Sequence, residues 1–160
     1  MSSRARVGAT HAVLVSFFMA VGLPAAFAAA HPSLNLEKQG VVYFDHQKVA
    51  AGFAKGGYLY PRDSGNFSIM TARREKAGQV ELHTRDTDII YVVAGSATFV
   101  IGGKIVQPKH TAPDELRATN MEGGTVRHIS KGDVLIIPAG VPHWFKEVPS
   151  PVLYYVVKVR

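Results

Sequence analysis

From Tyr60 onward the chain falls into short apolar runs separated by glycine, proline and small polar residues. Runs of this length with apolar side chains at alternate positions mark half-buried strands, because successive strand residues point to opposite faces. The pattern predicts strands over Asn66 to Arg73, Gln79 to His83, Asp88 to Val93, Ala97 to Ile101, Thr125 to Ile129, Asp133 to Pro138, His143 to Val148 and Leu153 to Val159. Tight turns separate them at Ala94-Gly95-Ser96, Gly102-Gly103-Lys104, Glu122-Gly123-Gly124, Lys131-Gly132-Asp133 and Pro138-Ala139-Gly140-Val141-Pro142. Glycine supplies the positive φ such turns need, and proline presets its own. Strands at this regular spacing predict a sandwich, jelly roll or small barrel.

Ahead of that stretch the pattern changes. Val41 to Phe44 reads as a short strand. Asp45 to about Ala54 reads as a helix, capped by Asp45 and stopped by Gly56 and Gly57. Lys104 to Gly124 has no clear period; it reads as a long loop with at most one short strand, placed to cover a barrel mouth.

The first residues change the picture of where the protein works. Arg4 and Arg6 precede the apolar run Ala12 to Val21, broken by Gly22 and Pro24 and followed by Ala26-Phe27-Ala28. A basic start, a short apolar middle and an Ala-x-Ala end describe a secretory leader too short for a lasting membrane anchor. The expected organisation is a leader over residues 1–30, an N-terminal strand and helix extension over 31–65 and a β-barrel domain over 66–160. A secreted, periplasmic protein follows, with no membrane attachment after cleavage. Losing the leader leaves sixteen basic residues against twelve acidic, a net charge of about +4. The basic residues are scattered and do not interleave with aromatics, so the excess implies slight attraction for anions and no nucleic-acid partner. There is no cysteine, so any metal must be held by nitrogen and oxygen.

Three polar residues stand where a strand face turns inward. Glu81 and His83 are two apart on one predicted strand and project from the same face, roughly 7 Å apart along the backbone. After a four-residue turn, Asp88 opens the next strand and can return its carboxylate to the same place. Unpaired charge inside a barrel costs several kcal/mol, roughly, and a divalent cation would remove that cost. Taken singly, each has an ordinary reading: His83 and His143 as hydrogen-bonded histidines, Asp88 as a turn cap.

Together these residues make the chain resemble the cupin superfamily. That family's first motif is His-x-His, a Glu after four residues and a Gly seven beyond; Glu81, His83, Asp88 and Gly95 keep the spacing. Its second motif, a Gly, five residues, Pro, one, Gly, two and His, is matched without a gap by Gly132, Pro138, Gly140 and His143. The chain departs from the family with Glu81 at the first histidine, Asp88 at the glutamate and Glu147 at a frequent asparagine. The resemblance implies an all-β fold, a cupin-type double-stranded β-helix (jelly-roll barrel) with a short N-terminal helix. It also implies a divalent metal ion, Fe, Mn, Zn or Ni, on His83, Asp88 and His143. Glu81 is either a fourth ligand or a general base.

Around that centre, Ile90 and Phe145 are expected as apolar walls. One of the adjacent Arg73 and Arg74 should face inward, with Arg73 as the contact for an anionic substrate or else a rim partner of Glu75 or Asp86. Arg117 is expected to reach in if the long loop folds over the mouth, and Glu147 to back the site. Tyr91, Val93, Trp144 and Val156 are read as outward and point to a homodimer. The function implied is a metal-dependent enzyme for a small oxygen-bearing molecule, of dioxygenase, isomerase, lyase or decarboxylase type. The alternative is a non-catalytic cupin module that binds a small molecule or metal.

Overall fold

The computed structural model describes residues 40–62 and 65–160; the expected leader lies outside the described residues. After a capped helix α1 (His46–Lys55), the strands run in chain order as β1 (Gly57–Tyr60), β2 (Phe67–Arg74), β3 (Val80–His83), β4 (Thr87–Ala94), β5 (Ser96–Ile101), β6 (Lys104–Val106), β7 (Lys109–Ala112), β8 (Glu115–Ala118), β9 (Asn120–Glu122), β10 (Thr125–Ser130), β11 (Val134–Ile137), β12 (His143–Glu147) and β13 (Val152–Val159). Two antiparallel sheets, in the orders β1-β2-β13-β4-β11 and β10-β5-β12-β3-β8-β7, face each other as a jelly roll, and β6 and β9 form a separate ribbon. No described helix is long and apolar enough to cross a membrane.

The alternation read in the sequence fills the space between the sheets. Ile90 and Val92 of β4, Phe99 of β5, Ile137 of β11, Phe145 of β12 and Val152, Tyr154 and Val156 of β13 form one buried cluster. The Phe145 ring meets Phe99 edge-on at 4.7 Å and stacks on Tyr154 at 4.8 Å. Each such fully buried side chain contributes about 1.5–3 kcal/mol over leaving it in water. A smaller cluster of Val80, Val100, Ala118 and Met121 lies on the other side of the second sheet, with Trp144 packed against it.

The helix forms where expected. The Asp45 side chain accepts from the Lys48 amide at 2.7 Å, and the Gly56 amide donates to Gly52 at the other end. Its Phe53 ring sits 4.9 Å from Tyr155, so α1 lies over the outer face of β13 and β2.

Five expectations need correction. Val41 to Phe44 has no strand partner among the described residues; its apolar side chains are largely exposed, so no buried face holds it in a sheet. Gly57–Tyr60, whose glycine start hid it, pairs with β2 as the edge strand β1. Lys104 to Gly124 is four short strands in two hairpin-like pairs, β6 with β9 and β7 with β8. Backbone pairing alone shapes β7, whose residues are all exposed, so no apolar alternation announced it. Val156 faces the core, because Tyr154, Val156 and Lys158 share the inward side of β13. Trp144 is half-buried and donates its indole N–H to the Gly78 carbonyl at 2.7 Å, so it too is no free outward surface.

Candidate functional site

The candidate site is assembled by register. Glu81 on β3 lies opposite His143 on β12 and opposite Arg117 on β8. His83 lies opposite Glu115 of β8, and Asp88 of β4 lies opposite Lys158 of β13. Directly opposed residues share a sheet face, so these pairs put seven charged or ionisable groups on the two inner faces at one end of the jelly roll. A cavity of about 950 Å³ opens there, lined by Glu81, His83, Asp88, Glu115, Arg117 and His143 among others, over a floor that includes Ile90, Phe145 and Tyr154.

One turn holds the imidazoles in place. The β11–β12 connection, Pro138 to Pro142, closes with the Val141 amide on the Pro138 carbonyl, and the Gly140 amide donates to the His83 carbonyl at 2.7 Å. His143 therefore leaves this turn already docked against the end of β3. At the other end of β4, Gly95 has φ 78, and a Cβ there would press on the Pro151 carbonyl, which accounts for glycine at that motif position.

The His83 and His143 rings lie 5.4 Å apart, centroid to centroid, both buried. Ligand atoms of Glu81, His83 and His143 all fall within 4.8 Å of one another, an arrangement able to hold one metal ion. The tautomers fit that use. The Nδ1 of His143 is 3.3 Å from the Val141 carbonyl and donates to it, which leaves the Nε2 lone pair facing the cluster. The Nδ1 of His83 faces Glu115 at 3.7 Å, with Nε2 inward. Metal-binding histidines are usually oriented in this way, through their second nitrogen. Burial above all pushes the His143 imidazole below its ordinary pKa; the Glu81 and Asp88 carboxylates pull upward without overcoming it, so the ring is neutral at pH 7.

Asp88 stands beside this group, 3.4 Å from His83 Nε2 and 3.8 Å from His143 Nε2. Both of its oxygens accept from the Lys158 ammonium, at 2.8 and 2.9 Å. Burial opposes its ionisation, but the His83 imidazole and the Lys158 ammonium beside it outweigh burial and hold its carboxyl below the usual range. Glu81 spans two environments. Its Oε2 lies 3.8 Å from His83, while Oε1 faces Arg117 at 3.4 Å and Arg74 at 3.6 Å.

Of the expected surroundings, Ile90 and Phe145 are walls of the cavity and Arg117 reaches Glu81. Arg117 does so from strand β8 and not from a loop, held by Glu115 at 2.6 Å. Arg73 takes the rim alternative: it is exposed and pairs with Glu75 at 2.9 Å. Strand parity turns Arg74 inward instead, where Nε donates to the Tyr154 hydroxyl at 3.2 Å and the guanidinium lies 4.7 Å over the Phe145 ring. Glu147 does not back the site. A register shift after Phe145 turns it to the exterior, where Thr98 donates to it at 2.7 Å.

Lys158, Glu115 and Tyr154 escaped the sequence reading. Lys158 and Tyr154 were signalled by their inward parity on the last strand. Glu115 carried no signal, since its segment had no period. Burial above all raises the Tyr154 hydroxyl above its ordinary pKa, against the nearby Arg74, so it stays protonated.

The family model described as Cupin matches residues 60–160. No curated protein matches the chain. Among solved structures, the chain is similar to the DMSP lyase DddQ from Ruegeria pomeroyi DSS-3, at 17% identity and TM-score 0.47 over 66% of this chain and 46% of that one. It is also similar to the polyketide cyclase RemF from Streptomyces resistomycificus, at 16% identity and TM-score 0.45 over 65% of this chain and 63% of that one. The Schizosaccharomyces pombe Cnp3 cupin domain aligns at 12% identity and TM-score 0.47 over 65% of this chain and 59% of that one. The chain thus spans less than half of the DMSP lyase's length.

Proposed function

The chain belongs to the cupin family, and from that premise we propose that it is an exported, periplasmic metal-dependent enzyme acting on a small oxygen-bearing anion such as a hydroxy or keto acid. The observation that carries this reading is the convergence of Glu81, His83 and His143 at the wall of an open cavity. Two imidazoles and a carboxylate suit Fe(II), Mn(II), Zn(II) or Ni(II) and leave positions free. Such an ion, when bound, supplies Lewis acidity that polarises a substrate oxygen.

The chain's own residues do the rest. Arg74 and Arg117 both face the cavity, and a guanidinium fork is matched to a carboxylate. Ile90 and Phe145 offer the apolar wall against which the remainder of a small substrate packs. The protonated Tyr154 hydroxyl, held by Arg74, is placed to hydrogen-bond at the cavity floor. Glu81 serves as a ligand in this reading.

Elemental analysis of protein purified from its native compartment, followed by oxygen-uptake assays on hydroxy and keto acids, tests the proposal. One first-row divalent ion per chain and turnover of an anionic substrate are expected. Protein that carries no metal and takes up none when it is supplied would overturn the reading. A zinc-loaded protein inert to oxygen would remove only its dioxygenase form.

A further inference from the structure

Lys158 is a half-buried cation with no part in the ligand set. Its side chain is 15% exposed, and its Nζ lies 2.9 Å from His83 Nε2 while bonding both oxygens of Asp88. We propose that Lys158 is a resident cation that competes with the divalent ion for His83 and Asp88, so that metal entry requires its ammonium to leave. The inference rests on the metal reading above and deepens it.

An ammonium has three N–H donors and no lone pair, so at this distance His83 Nε2 must be the acceptor. That lone pair is the one a metal ion needs from His83. The two Asp88 oxygens are engaged in the same way. A divalent ion held by His83 Nε2 would lie no more than about 5 Å from the ammonium, where like charges repel strongly even at the effective dielectric of a protein site. The local charges point the same way. Lys158, Arg74 and Arg117 face the carboxylates of Asp88, Glu81 and Glu115, a balanced set that a divalent ion would overcharge unless one cation withdrew.

Lys158 is the cation able to do so. Arg117 is anchored by Glu115 and Arg74 by Tyr154, whereas Lys158 ends a flexible four-carbon stem that lines the open cavity. Its backbone stays put, since Arg62 donates to the Lys158 carbonyl at 3.1 Å. Departure of the ammonium would free Asp88 to join the two imidazoles, as the motif position of that carboxylate implies.

Calorimetric titration of Zn(II) into the purified protein and its Lys158→Gln and Lys158→Leu variants tests this. The leucine variant guards against a glutamine amide acting as a new ligand. Both variants should bind zinc at least tenfold more tightly than the parent, a difference of about 1.4 kcal/mol. In the parent, side-chain ¹H–¹⁵N NMR should show the Lys158 ammonium resonance move or vanish as zinc binds. This second readout decides the matter if the variants melt before they can be titrated. Equal zinc affinity in parent and variants, or zinc binding with the Lys158 resonance unmoved, overturns the competition and leaves the metal reading standing. Absence of zinc binding in all three proteins overturns both.

Discussion

The backbone N–H of Gly140 donates to the carbonyl of His83 across 2.7 Å, tying the turn that launches one imidazole to the strand end that carries the other. The bond requires Gly140 at φ 80, and open space lies where a Cβ would go. Gly140→Ala therefore meets backbone strain and no clash. Left-handed backbone costs a non-glycine residue about 1–2 kcal/mol, so Tm should fall by about 2–8 °C. Scanning calorimetry checks this, and zinc affinity should drop alongside as the two rings lose their common anchor. An unchanged melting temperature would show that the turn does not depend on this conformation.

Glu81 separates ligation from proton transfer. Its carboxylate lies within ligand distance of both imidazoles, with its other oxygen toward Arg117 and Arg74. Glu81→Gln keeps the shape and removes the charge. As a ligand, Glu81 is worth at least tenfold in metal affinity, so bound metal after dialysis should fall together with turnover. Full metal content with turnover lost would make it a general base instead.

How much of this was written in the sequence depends on whether a buried face recorded it. Strands β2 to β5 and β10 to β13 were legible because each packs one apolar face inward, as Ile90 and Val92 do on β4. The His83–Asp88 and Gly132–His143 spacings were legible because they fix a strand, a turn and a ligand in register. Strands β7 and β8 were not, since β7 is exposed throughout and its order comes from backbone pairing with its neighbour. Arg73 and Arg74 illustrate the remaining limit. A one-residue choice of face decides which of two adjacent arginines enters the cavity, and only the pairing of Arg73 with Leu153 and Arg74 with Val152 settles it.

Acid should loosen the open end of the barrel through Asp86. Its carboxylate accepts from Arg62 at 3.0 and 3.1 Å and from Arg160 at 2.9 Å. Burial alone would raise its pKa, but the hydrogen bonds and charges of the two arginines outweigh burial and hold it below the ordinary value of 3.8. The unfolded chain therefore takes up this proton first as pH falls, and the folded state is disfavoured. The stabilisation is present above pH 3.8 and is lost as pH falls further, through the folded pKa. Asp86→Asn should cost about 2 kcal/mol at pH 7, mainly from the Arg62 partner left in a largely buried place. Urea unfolding at stepwise lower pH should show the gap between parent and variant closing below that window. A gap that stays constant with pH would remove Asp86 as its source.

The outer face of the first sheet predicts how two chains meet. Tyr91 lies opposite both Val134 and Tyr155, and Ile89 lies opposite Ile136. Tyr91, Val134 and Ile136 are 44%, 60% and 68% exposed, on β4 and on the edge strand β11. A contiguous apolar strip on an open sheet edge is unfavourable in water, and pairing with a second copy about a two-fold axis covers it on both chains at once. The parent protein should run at twice the chain mass in size-exclusion chromatography with light scattering. Ile136→Glu places a charge at the middle of the strip and should shift the population to single chains. Because Ile136 is already exposed, the variant's far-ultraviolet circular dichroism should stay unchanged, separating loss of association from loss of fold. A parent protein that is monomeric at concentrations of 100 μM, roughly the upper range where weak dimers still form, would show that this strip does not pair with its own copy.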